Sequence, residues 1–123
     1  MGSPFPVADR CRGVADRRVL RVGASATIAG ISVPNVDGIL IRGSHELFAA
    51  QNADNLISVW KLNSDFLTGT MKKVITSPLF ESPTTIARFG SRLAVANAKV
   101  DAGFPPTATR FEVNVVRPER QAL

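Results

Sequence analysis

Between residues 33 and 62 the apolar positions gather in three short runs, 39–41, 47–50 and 57–62, separated by the turn-prone groups Gly43-Ser44-His45-Glu46 and Asn52-Ala53-Asp54-Asn55. A helix over this span would need apolar residues every three to four positions without interruption, and Gly43 and the Asn-Asp cluster fall where such a helix would have to continue. The pattern predicts a three-stranded antiparallel meander. In its last strand Ile57, Val59 and Lys61 alternate with Ser58, Trp60 and Leu62, so large apolar groups stand on both faces and a sheet covered on both sides is expected.

Around this meander the chain is punctuated in the same way. Residues 19–22 (VLRV) read as a short strand, and 26–31 as another strand or a buried connection. Ser64-Asp65 and Thr68-Gly69-Thr70 are turn material, with Phe66 and Leu67 expected as anchors between them. Residues 71–76 read as an exposed fourth strand whose Lys72-Lys73 pair suits a sheet edge.

A second copy follows. Thr85-Ile86-Ala87-Arg88-Phe89-Gly90-Ser91 answers Ile39-Leu40-Ile41-Arg42-Gly43-Ser44, with the Gly-Ser pairs 47 positions apart. Leu93-Ala94-Val95-Ala96-Asn97 answers Leu47-Phe48-Ala49-Ala50-Gln51 at a spacing of 46, and residues 111–116 supply a third strand after a longer excursion through Asp101-Ala102-Gly103-Phe104-Pro105-Pro106. Small antiparallel sheets repeating every 40–50 residues are the signature of propeller blades; a single sandwich with chance similarity is the alternative. The expected fold is therefore all-β: a partial β-propeller of about two four-stranded antiparallel blades, at about 37–77 and 84–117, incomplete without partner chains. Residues 1–18, with Pro4, Pro6 and Gly13, are expected to form an irregular basic arm ahead of a propeller-like domain at 19–123.

The segment VDGILIRG followed by ELFAAQNADNLISVWKL resembles the strand pattern of the SMP-30, gluconolactonase and strictosidine-synthase-like propellers, and SPLFESPTTIARFGSRLAVANAK is similar to the segment that follows in secreted or periplasmic-type members of that group. The resemblance covers roughly residues 33–117. It implies a ring of about six blades, of which this chain has material for two, so the sequence looks like the C-terminal third of such a protein. It also implies an axial divalent cation, usually calcium, held by oxygens from several blades. Asp37 matches the position of the family's metal-ligand and acid/base aspartate, while the Glu and Asn ligands of the family belong to earlier blades. Thr84 and Thr85 stand at the matching entrance of the second copy and, with Asn97, are the substrate-binding candidates that the resemblance suggests.

Read as chemistry alone, these residues are ordinary. Asp37-Gly38 is also a turn pair, and a single carboxylate does not supply the six to eight oxygens that calcium takes. The expected cofactor is none, with calcium only in a completed propeller. His45 beside Ser44 has no third residue to orient it, so it is read as a polar turn residue. Asn52 and Asn97 are expected to bond turn backbone. Trp60, Phe48, Phe66, Phe80, Phe89 and Phe111 are read as packing residues, and the absence of tyrosine removes a common hydrogen-bonding aromatic.

Composition narrows the functional classes. The 123 residues make one domain at most, 45% hydrophobic, with a formal net charge of +5. Arg10, Arg12, Arg17, Arg18 and Arg21 outweigh Asp9 and Asp16 to give a local +3, a candidate polyanion-binding arm. The other cations are scattered singly without an aromatic-rich motif, which argues against a nucleic-acid partner. Cys11 is the only cysteine, so no intrachain disulfide or thiolate cluster forms. The first ten residues lack the pattern of a signal peptide and no run is long enough to span a membrane, although the resemblance points to an extracellular or periplasmic ancestry. Localisation stays open. The expected function is a non-catalytic structural or protein-binding module that associates with copies of itself or a protein partner through exposed blade edges; the alternative is a calcium-dependent lactonase or hydrolase of the SMP-30 type, completed by further blades.

Overall fold

A computed structural model describes residues 25–100, 105 and 107–120. The predicted strand at 19–22, Cys11 and the arginine arm lie outside them. The described chain is all-β, in two antiparallel sheets without an α-helix. The first sheet has the order β1 (Val36–Arg42), β2 (Glu46–Gln51), β3 (Leu56–Leu62) and β4 (Gly69–Ile75). The second has the order β5 (Pro83–Phe89), β6 (Arg92–Asn97) and β7 (Val113–Val116), followed by a single 3₁₀ turn at Pro118–Arg120. Where four strands were expected in each unit, the second sheet has three among the described residues.

Turn chemistry sets each hairpin. Gly43 and Gly90 both take positive φ, at 63° and 60°, where a side chain would be strained. The first hairpin closes on the Arg42↔Glu46 pair and the second on Phe89↔Arg92, one loop residue shorter. That missing residue is why the repeat runs at 47 positions before the turn and at 46 after it. The β2–β3 turn ends on Asn55 at φ 59°, a conformation that Asn tolerates better than most residues.

Side-chain alternation then decides the layers. Phe48, Ala50, Ile57, Val59 and Ile75 from the first sheet bury themselves against Ile86, Leu93, Val95 and Val116 of the second, with Leu40 and Phe80 completing this core. On the opposite face of the first sheet Leu47, Trp60 and Leu62 are covered by the half-buried Ile28, Ile31 and Val33, so the 26–31 stretch is a connection that packs through two side chains and is otherwise exposed rather than buried. It touches the sheet through one parallel bridge between Ala29 and Thr68. Both faces of β3 are thus occupied, as the pattern of Ile57 to Leu62 requires.

The aromatic residues expected to pack between blades or against turns fall into two groups. Phe48, Trp60 and Phe80 are buried, but Phe66, Phe89 and Phe111 are 44%, 54% and 57% exposed. Phe66 sits at a positive φ in the β3–β4 turn and stacks its ring on His45 with centroids 4.9 Å apart. It does not anchor that turn in the core, and Leu67 beside it is exposed as well. Phe89 and Phe111 belong to the outer side of the second sheet, where Arg92 lies over the Phe89 ring and no other element among the described residues covers it.

Candidate functional site

Asp37 and Thr84 are placed by the same device. Each is the residue skipped by a register shift at the start of the strand that borders the other sheet, between Val36 and Gly38 in β1 and between Pro83 and Thr85 in β5. A bulge of this kind twists the strand and re-aims its side chain. The two bulges lie side by side because Gly38 has no side chain: a Cβ there would sit on the Thr84 carbonyl oxygen. Asp37 is exposed, and its Oδ2 accepts a hydrogen bond from Asn52 Nδ2 at 3.4 Å. Thr84 is half-buried, with Oγ1 donating to the Ala96 carbonyl at 3.4 Å, and Thr85 is exposed.

The structure therefore brings Asp37, Thr84 and Thr85 to one mouth between the sheets and puts Asn97 to another use. Asn97 is 4% exposed. Its Nδ2 donates to the Leu79 carbonyl at 2.8 Å and its Oδ1 accepts from the Glu81 N–H at 2.9 Å. Around Asp37 the polar groups mostly satisfy one another: Asn52 Oδ1 accepts from the Ala53 N–H, Asn35 Nδ2 reaches Asp54, and Gln51 Nε2 donates to both Asp54 and the Pro34 carbonyl. No group of three or more His, Cys, Asp or Glu side chains among the described residues is arranged to hold a metal ion. The arrangement offers one carboxylate and two hydroxyls, which can bind a polar group but do not form a nucleophile–base pair. The His45 ring nitrogen Nδ1 pairs with its neighbour, Ser44 Oγ, at 2.6 Å, which orients no nucleophile.

Two polar constructions were legible in the sequence only at Asn97, whose bonding to turn backbone was expected. The first is a set of asparagines that pins residues 79–82, the link between the sheets. Asn55 donates to the Phe80 carbonyl and accepts from the Ser82 N–H, Asn97 grips Leu79 and Glu81, and Asn114 Nδ2 also donates to the Leu79 carbonyl at 2.9 Å. Polar residues at the ends of strands were the only signal, and the pairing partners lie 16–35 residues away. The second is a buried chain in which Trp60 Nε1 donates to Ser58 Oγ at 2.8 Å, and Ser58 donates to Gln51 Oε1 at 2.6 Å. Through Gln51 it ends on Pro34, so it holds the covering segment over Trp60.

A charged cluster closes the far end of the sheets. Arg42 pairs with Glu46 at 2.7 Å and with Glu119 at 2.8 Å, while its guanidinium lies over the Phe48 ring. Lys72, the residue skipped by the β4 register shift, also reaches Glu46, and Lys73 donates to the Pro118 carbonyl. The lysine pair thus sits on an edge strand, as expected, and ties that edge to the rest of the fold. Burial alone would raise the Glu46 pKa, but Lys72 and Arg42 outweigh it and hold the carboxyl below its usual range. Burial likewise opposes the Arg42 charge, and the two glutamates more than offset it.

The surface of the second sheet is the other feature with functional weight. Its outer side carries Phe89, Val113 and Val115 at 54%, 64% and 49% exposure around the smaller Ala87, Ala94 and Ala96, and Phe111 continues the patch. On the first sheet Ile39 and Ile41 are exposed beside the covered Leu47. No helix among the described residues is long and apolar enough to cross a membrane. Comparison of the chain with protein-family models and with curated proteins finds no match.

Proposed function

We propose that this chain is a non-catalytic, propeller-like structural or protein-binding module that works by association through its exposed sheet surfaces. The observation that carries this reading is the apolar patch of Phe89, Phe111, Val113 and Val115. Contiguous apolar surface of this kind marks interaction sites, and burying roughly a few hundred Å² of it at ~25 cal/mol per Å² is worth several kcal/mol. The blade interpretation draws support from the matched bulges at Asp37 and Thr84, the matched Gly43 and Gly90 hairpins and the packing of β1 beside β5. Replacing Phe89 and Val113 together by Ser tests it. The double variant should keep its strand content and lose both self-association and binding of apolar dyes; unchanged association would sink the reading.

The juxtaposition of Asp37 with Thr84 and Thr85 favours a second reading, a calcium-dependent lactonase or hydrolase of the SMP-30 type. In it Asp37 is an axial ligand and acid/base group, and Thr84 and Thr85 lie near the substrate, while Asn97, bonded to Leu79 and Glu81, serves the fold. Calcium would supply Lewis-acid polarisation of a lactone carbonyl. Its further oxygen ligands would come from additional blades. Calorimetric titration with calcium, comparing the chain with Asp37→Asn, separates the two readings: saturable binding abolished by the substitution supports the enzyme-like one.

A further inference from the structure

We infer that the outer edge of β7, which no strand among the described residues pairs, joins β7 of a second copy of this chain, making two three-stranded sheets into one of six strands about a two-fold axis at Asn114. This deepens the association reading above and rests on it. The direction of the edge groups follows from one hydrogen bond. The Asn97 N–H donates to the Glu112 carbonyl at 3.0 Å, and β6 and β7 pair as Ala96↔Val113, Val95↔Asn114, Ala94↔Val115 and Leu93↔Val116. In an antiparallel ladder hydrogen-bonded and non-hydrogen-bonded pairs alternate, so Glu112, Asn114 and Val116 bond β6 while Val113 and Val115 turn their N–H and C=O groups outward.

The two outer edges of the fold are treated differently. On β4 a bulge at Lys72 and the neighbouring Lys73 blunt the ladder and tie it inward. On β7 there is no register shift, no charge and no proline between Val113 and Val116. Such a strand is a template for pairing, and its own sequence fits its two-fold mate. With Asn114 on the axis, Val113 of each copy opposes Val115 of the other, so both pairs of outward backbone groups are satisfied and the exposed valines meet in cross-strand pairs. At each end the same register sets Phe111 against Arg117 of the other copy, an aromatic and a cation that are both exposed in the single chain. A shift of one residue would place inward side chains opposite outward ones, and among the registers that keep the faces matched the one centred on Asn114 sets the two outward valines of each copy against each other.

Disulfide trapping tests this directly. In a Cys11→Ser background, the single variants Val113→Cys and Val115→Cys are made, oxidised separately, and then oxidised as a mixture. Opposed residues stand within disulfide reach, whereas position 113 lies diagonal to its own mate and beyond the ~7 Å limit for bridging. The mixture should yield a cross-linked dimer and each variant alone should yield little. Val115→Pro, which deletes an outward N–H and leaves the β6 ladder intact, should weaken self-association roughly tenfold or more with strand content preserved. Self-association without preferential cross-linking of the mixture overturns the edge pairing and leaves the association reading standing. A monomer at every concentration overturns both.

Discussion

Gly38 of β1 lies directly against the carbonyl oxygen of Thr84 in β5, with no room between them for a Cβ. This contact sets how closely the two sheets approach at the mouth where Asp37 and Thr84 sit. Gly38→Ala should therefore force the strands apart and cost about 1–3 kcal/mol in urea unfolding. Gly43 is the control, because nothing lies within 4 Å of its would-be Cβ and only its positive φ resists substitution. Gly43→Ala should cost about 1–2 kcal/mol without disturbing the Asp37–Thr84 mouth. Amide chemical shifts of Thr84 and Thr85 that move equally in both variants would contradict this assignment.

The asparagine clamp makes an ordered prediction. Asn97→Ala leaves the Glu81 N–H without its acceptor and removes one donor to Leu79, so it should destabilise the fold by about 2–3 kcal/mol. Asn114→Ala should cost less, about 1 kcal/mol, since Asn97 still serves the Leu79 carbonyl. Thermal or denaturant melts of the pair measure the order directly; equal losses would show that the two side chains do not share one acceptor in the way described.

Ser58 is buried between Trp60 and Gln51 and serves both. Ser58→Ala should cost about 1–3 kcal/mol because an indole N–H and an amide oxygen lose their partner together. The covering segment at Ile28, Ile31 and Val33 should loosen with it, seen as a red shift and stronger quenching of the fluorescence of Trp60, the sole tryptophan of the chain. Unchanged emission would break the proposed link between the polar chain and the cover.

Acid should weaken the fold through Glu46. Its pKa is lowered in the folded state, so its stabilising contribution is present above the ordinary carboxylate value of about 4.3 and is lost as pH falls below it through the folded value. Glu46→Gln should lower stability at neutral pH by roughly 1–2 kcal/mol and flatten the acid limb of the stability curve. A variant with the same acid limb as the parent would remove Glu46 from that role. Glu119 is shifted in the same direction by a backbone hydrogen bond and by Arg42, but its exposed position makes its share small.

What was legible in the sequence was whatever depends on neighbours along the chain. The turns at Gly43, Gly90 and Asn52 to Asn55 follow from local conformational preferences, and the two-sided burial of β3 follows from its alternation. Aromatic residues were harder, because size and apolarity do not say whether a facing layer exists; among the described residues Phe48 finds one and Phe89 meets only the Arg92 guanidinium. The mouth at Asp37 and Thr84 was legible only as two strand entrances, since the bulges and the Gly38 approach arise when the sheets dock. Asn97 illustrates the limit best. Its place at the end of β6 suggested a bond to turn backbone, which it makes, but its partners Leu79 and Glu81 lie 18 and 16 residues back in the link between the sheets and are reached only through packing.

The central claim is that the exposed patch around Phe89, Val113 and Val115 is an association surface, and light scattering of the whole chain at micromolar concentrations tests it most directly. A mass that rises with concentration to that of a dimer or a larger assembly, with apolar-dye binding falling as it does so, is the predicted result. A well-folded monomer across the whole range, with low dye binding throughout, would contradict it.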